Sequence, residues 1–238
     1  MKSETVVFQS GLNKSGKQRE NGRFKAIIFD LDGLLIDSEP IWVQADKILM
    51  SRWGISYTNH LREKIRGRGQ QETAEIIIKQ FRLKESIDGF VKKRWESLYP
   101  LLDRNLQLMP GAESLVKKFY QSGFILAIAT GGHQKRKVEE FLTRLTLRKF
   151  FKVIVSGLDV KHSKPYPDIF LACAQRLEVL PSECLVLEDA ENGVIAAKRA
   201  GMKVIGVNSN PRVRKFIRSA NLIVESLREV TLKKIEEL

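Results

Sequence analysis

Two carboxylates set two residues apart close an apolar run and stand just before a glycine: Phe24-Lys-Ala-Ile-Ile-Phe29, then Asp30, Leu31, Asp32 and Gly33. Side chains at i and i+2 of extended chain share a side, so the spacing predicts that Asp30 and Asp32 project together from a strand's end. Neighbouring carboxylates repel, and a hard oxygen-seeking cation such as Mg²⁺ relieves the repulsion. A solvated acidic turn would read the same way, so the rest of the chain has to decide. A second acidic pair, Glu188 and Asp189, ends the apolar run Cys184-Leu-Val-Leu187, as a metal shared with the first pair would need. Thr130 and Gly131 follow the run Phe124-Ile-Leu-Ala-Ile-Ala129. A hydroxyl with free backbone N–H groups at a strand-to-helix turn suits an anionic oxygen. Lys164 precedes Pro165 and Pro167, and a lysine on so constrained a turn presents a fixed positive charge to a phosphate.

These residues need elements to carry them. Short apolar runs at 24–29, 124–129, 151–155, 184–187, 203–207 and 222–224 read as buried strands. Helical patterns alternate with them: Ala112 to Gln121, one from about His133, one opening at Asp168, and one that closes at Gly201. Alternation of this kind is an α/β pattern, in which ligands bind at the carboxyl ends of the strands. Between Glu39 and Leu108 the pattern turns helical, and no convincing strand appears. Ile41, Ala45, Ile48 and Leu49 share one face, Ala74, Ile77, Ile78 and Phe81 another, and Phe90 to Leu98 a third. Within it, Arg66-Gly67-Arg68-Gly69 reads either as a mobile turn whose arginines reach a phosphate or sugar hydroxyls, or as a solvated connection.

Composition narrows the class. The chain has 238 residues, 43% hydrophobic and 29% charged, an ordinary soluble balance. No run is long enough to span a membrane. The two cysteines, Cys173 and Cys184, lie in apolar surroundings, which predicts buried thiols in a reducing, cytoplasmic setting rather than a disulfide. Residues 1–22 are polar and lack the apolar core of a signal peptide, so a disordered extension is expected. The formal net charge is +13. A basic nucleic-acid-binding protein is therefore the alternative from another class. The charges are spread along amphipathic helical patterns, however, so no specific nucleic-acid partner is expected.

Taken in order, Asp30-Leu31-Asp32-Gly33, Thr130, Lys164-Pro165-Tyr166-Pro167-Asp168 and Glu188-Asp189 with Gly193 resemble the four motifs of the haloacid dehalogenase-like superfamily. The resemblance spans about residues 24–227. It is strongest to the sugar- and polyol-phosphate phosphatases of the β-phosphoglucomutase-like branch. The stretch Asp30 to Trp42 resembles 2-deoxyglucose-6-phosphate/hexitol phosphatases. Met109 to Glu113 and Pro167 to Ala174 resemble pseudouridine-5′-phosphatase and glycerol-phosphate phosphatases.

The resemblance implies a Rossmann-like parallel sheet flanked by helices (residues 23–39 and 109–238) with an inserted small α-helical cap (residues 40–108). It implies that Asp30 attacks phosphorus and becomes an aspartyl-phosphate, while Asp32 protonates the leaving oxygen and then deprotonates water. Mg²⁺ would be held by Asp30, the Asp32 backbone carbonyl and Asp189, with Glu188 nearby or bound through water. Thr130 and Lys164 would hold phosphoryl oxygens, aided by backbone N–H groups of Leu31, Asp32 and Gly131. The cap would choose the substrate, with Arg66 and Arg68 as candidates. Dehalogenases lack the second aspartate, so Asp32 argues for a phosphate ester. Phosphohexomutases of the branch are the alternative. They carry a histidine where this chain has Trp42, and an arginine for a second phosphate where it has Gln70. The expectation is a monomeric phosphatase of a small sugar, polyol or nucleoside phosphate, with no membrane partner.

Overall fold

The computed structural model describes residues 22–65 and 68–238. The expected N-terminal extension up to residue 21, and Arg66 with Gly67, lie outside the described residues. In chain order, β1 (Ala26–Phe29) leads into a helical insertion: α1 (Glu39–Ser51), α2 (Asn59–Ile65), α3 (Gln70–Phe81) and α4 (Ile87–Asn105). Strands and helices then alternate, from α5 (Ala112–Gln121), β2 (Ile125–Thr130), α6 (Lys135–Arg144) and β3 (Phe151–Ser156) to α7 (Asp168–Leu177) and β4 (Cys184–Glu188). The chain closes with α8 (Glu191–Arg199), β5 (Lys203–Val207), α9 (Pro211–Arg214), β6 (Leu222–Val224) and α10 (Leu232–Glu236).

The strands form one parallel sheet in the order β3-β2-β1-β4-β5-β6. Alternate residues of β1 explain its burial on both sides. Ile27 and Phe29 pack with Leu115, Val116 and Phe119 of α5 and Val138 and Leu142 of α6. Ala26 and Ile28 face Ile169, Phe170 and Cys173 of α7 and Val194 and Ala197 of α8. Strands covered on both faces read as continuous apolar runs, which is why the sequence shows them so plainly.

The order places a topological switch at β1. The chain builds outward to β3 and then crosses to β4 on the other side, and the crevice at such a reversal is where open α/β sheets bind ligands. Register brings the motifs level there. Phe29 pairs with Ile128 on one side and Leu187 on the other, so Asp30 emerges between Ala129 and Glu188.

The helical insertion has its own apolar contacts. Leu49, Met50, Leu61, Ile65, Ala74, Ile77 and Phe90 form one cluster. Ile41, Ala45, Leu98 and Leu102 form a second that includes Phe141 of α6. Three local expectations are corrected. Ile48 is exposed, because the buried side of α1 carries Ile41, Ala45, Asp46, Leu49 and Met50. The helix expected over Phe90–Leu98 runs unbroken from Ile87 to Asn105 through Pro100. The helix after β2 begins at Lys135, leaving His133 in the turn, where it is buried. Cys173 and Cys184 are buried and unbridged. Among the described residues no helix is long and apolar enough to cross a membrane.

Candidate active site

Asp30 leaves the end of β1 nearly enclosed, 6% exposed. The Lys164 ammonium joins three strand ends around it. It donates to Asp30 Oδ1 (2.5 Å), Glu188 Oε2 (2.7 Å) and the Ala129 carbonyl (3.1 Å). The other oxygen of Glu188, Oε1, accepts from the backbone N–H groups of Asp189 and Ala190 at 3.2 Å each, at the N-terminal end of α8, where the helix dipole favours a negative charge. Two glycines make these positions possible. A Cβ on Gly193 would lie 2.0 Å from the Glu188 carboxyl carbon. One on Gly33, whose φ is +76°, would lie 2.5 Å from Asp189 Oδ2. Asn208 holds the Asp189 backbone by donating to its carbonyl at 3.0 Å.

Carboxylate oxygens of Asp30, Glu188 and Asp189 converge to within 4.8 Å of one another. Without a cation this arrangement is costly. Burial pushes Asp30 up to about 8, reinforced by the Glu188 charge and opposed by Lys164. Asp189 is raised well above the usual carboxylate range by burial, then by Glu188 and Asp30. Burial disfavours the Lys164 charge, but Asp30 and Glu188 outweigh it and hold the ammonium protonated beyond its ordinary range. Crowded hard oxygens of this kind are the donor set Mg²⁺ prefers. The hydroxyl of Thr130, the last residue of β2, is buried with no partner among the described residues. A buried unpaired hydroxyl is unfavourable, and an anionic ligand oxygen would satisfy it. Beside it, Gly131 accepts from Ser163 Oγ at 3.2 Å and lies close under Gly157. Leu31 is fully buried between the two aspartates.

The two aspartates part company. The Asp32 carboxylate is not in the convergent set and faces His133 instead, with Nε2 at 3.1 Å from Oδ1 and 3.0 Å from Oδ2. The extended-chain rule fails here because β1 ends at Phe29 and Asp32 already lies in a tight turn bridged to Ile36. Burial works to raise the Asp32 pKa. The His133 charge and hydrogen bonds from His133, Ser38 and Trp42 prevail and lower it. Arg68 is not brought to the carboxylates. It donates to the Lys64 carbonyl (2.7 Å) and pairs with Glu72.

Sequence reasoning missed a polar network within the helical insertion. Arg94 of α4 donates to both oxygens of Asp46 (2.7 and 2.9 Å) and to Gln70 Oε1 (2.7 Å), with its guanidinium 4.5 Å from the Trp42 ring centre. The signal was available: Asp46 beside Ala45, and Arg94 four residues from both Phe90 and Leu98, put opposite charges on apolar helix faces.

The family model for haloacid dehalogenase-like hydrolases matches residues 27–207. The chain is similar to the phosphorylated carbohydrates phosphatase of Thermotoga maritima, at 35% identity over 76% of this chain and 83% of that one. It is likewise 35% identical to (DL)-glycerol-3-phosphatase 2 of Arabidopsis thaliana, over 81% and 82% of the two chains. Among solved structures it resembles the β-phosphoglucomutase of Clostridium difficile, with a TM-score of 0.78 and 27% identity over 90% of this chain and 96% of that one. Sequence, sheet order and the carboxylate–lysine cluster agree, and the chain belongs to the haloacid dehalogenase-like hydrolases.

Proposed function

We propose that this hydrolase is a Mg²⁺-dependent phosphatase that releases phosphate from a small sugar, polyol or nucleoside phosphate through an aspartyl-phosphate on Asp30. That it acts on phosphomonoesters rests on its family and on the phosphatases among its relatives. The observation that carries the mechanism is the enclosed cluster of Asp30, Lys164, Glu188 and Asp189 beside the unpartnered Thr130 hydroxyl.

In this reading an Asp30 oxygen attacks phosphorus, dividing one difficult displacement into two easier ones. Lys164 and Thr130 hold the phosphoryl oxygens, with the turn N–H groups at Leu31 and Gly131, where charge must be neutralised. Asp32 gives a proton to the leaving oxygen and then takes one from the attacking water. Asp30, Asp189 and Glu188, with the Asp32 backbone carbonyl, would hold Mg²⁺, whose chemistry there is neutralisation of phosphoryl charge. The insertion, residues 40–108, acts as a cap that closes over the substrate and chooses it, as Trp42 reaching Asp32 from α1 supports.

A screen of phosphorylated sugars, polyols and nucleotides with Mg²⁺ tests this reading. Release of phosphate from one class, abolished by Asp30→Asn in a folded variant, is the expected result. Turnover undiminished in EDTA would overturn it. Transfer of phosphate between two positions of one sugar, without release, would place the chain with the mutases instead.

A further inference from the structure

We propose that His133 is a positioning residue of this reaction, holding the Asp32 carboxyl group toward the leaving-group oxygen. The inference rests on the phosphatase reading above and adds a residue to it. His133 follows Thr130 by three positions and is fully buried. Its backbone is pinned by Ser156, whose hydroxyl donates to the His133 carbonyl at 2.6 Å. Its ring is packed among four others, with centroids 4.9 Å from Trp95, 5.7 Å from Phe141, 6.0 Å from Tyr99 and 6.3 Å from Trp42.

Packing alone does not account for a histidine in this box. A phenylalanine would fill it without burying polar nitrogens, which is costly unless they are paired. Nδ1 has no partner among the described residues. The polar contact that compensates is Nε2 with Asp32, placed almost equally from both carboxylate oxygens. An ionised carboxylate only accepts, so Nε2 donates. A donor centred on both oxygens keeps the carboxyl oriented whether or not one oxygen carries a proton. That suits a group that must give a proton in the first half-reaction and take one in the second. Ser38 and Trp42 also bond to Asp32, so the carboxyl group is fixed from the β2 turn and from the insertion together. The direction matters: Asp30 is committed to Lys164 on the metal side, while His133 keeps Asp32 away from it.

The test separates orientation from general damage. kcat/KM reports steps through phosphoryl transfer to Asp30. It is measured on glycerol 3-phosphate, 2-deoxyglucose 6-phosphate or, where wild type hydrolyses neither, the fastest alkyl ester of the screen above, and on p-nitrophenyl phosphate. The alkyl leaving group needs a proton; the nitrophenolate leaves without one. His133→Phe is expected to lose about 10- to 100-fold on the alkyl ester, the scale of a misplaced catalytic group, and at least about fivefold less on the aryl ester. His133→Gln, which retains a donor, should recover most of the alkyl activity. Should the Phe variant fail to fold, His133→Asn, too short to reach Asp32, takes its place with the same split expected. Equal losses on both esters, no loss on the alkyl ester, or a Gln variant no better than Phe would each overturn the positioning role. A wild-type protein that releases phosphate from none of the esters in that screen would instead overturn the phosphatase reading, and this role with it.

Discussion

At the scale of single residues, one ammonium group stands against three convergent carboxylates. Lys164 commits its donors to Asp30, Glu188 and the Ala129 carbonyl, so removing it leaves buried charge uncompensated. Lys164→Met is expected to lower kcat by at least about 100-fold, as charge-stabilising groups at reacting oxygens do. Turnover of the folded variant within tenfold of wild type would show that the lysine is dispensable. Gly193 is a second test. A methyl group there would collide with the Glu188 carboxyl group and drive it off Lys164. Gly193→Ala should raise the Mg²⁺ concentration giving half-maximal activity by about 10- to 100-fold, the scale of lost support for a metal ligand. A Mg²⁺ titration of activity measures it. Asp30, Glu188 and Asp189 were legible because each sits at or beside a strand end, and Lys164 because two prolines follow it. The partnership of His133 with Asp32 was not, because the two are 101 positions apart and a local pattern carries no trace of such a pair.

At the scale of elements, legibility follows burial. The strands stand out because helices cover both sheet faces, leaving continuous apolar runs. α2 went unread because Leu61 and Ile65 are its only buried residues, too few to set a period. α4 was read short at its proline-bearing end. Leu98 and Leu102, buried on either side of Pro100, carry it through. The contact between α1 and α4 holds the next prediction. Asp46 and Arg94 are both buried, with side chains 2% and 8% exposed. Breaking such a pair leaves one charge stranded, at a cost of about 3–5 kcal/mol, whereas replacing both with apolar residues is often neutral or stabilising. Arg94→Ala should therefore lower stability in urea unfolding by about that amount, and the double variant Asp46→Leu with Arg94→Met should regain most of it. A double variant as unstable as the single one would mean that Arg94 matters through Gln70 and Trp42 rather than through Asp46.

At the scale of the whole molecule, a chain with an excess of positive charge carries a negatively crowded site. The +13 formal charge draws anions toward the protein, while the site itself must suppress or neutralise its own carboxylates. In the proposed reading, which of the two it does depends on pH and Mg²⁺. Without the cation, Asp30 is pushed up to about 8 and Asp189 is raised as well, against an ordinary value of 3.8. Between those limits the folded chain keeps protons that the unfolded chain has released. Their contribution to stability is complete below the unfolded value and is lost as pH rises through the folded one. Mg²⁺ takes ionised carboxylates, so its binding at the proposed site would displace those protons and would strengthen as pH rises. The rise in melting temperature on adding Mg²⁺ in place of EDTA should therefore be larger at about pH 9 than at about pH 6, by mass action on the ionised site. Asp30→Asn removes a group that titrates in this window and should shrink the difference. Equal Mg²⁺ stabilisation at both pH values, or a larger effect at the acid end, would mean that the convergent carboxylates do not form the metal site.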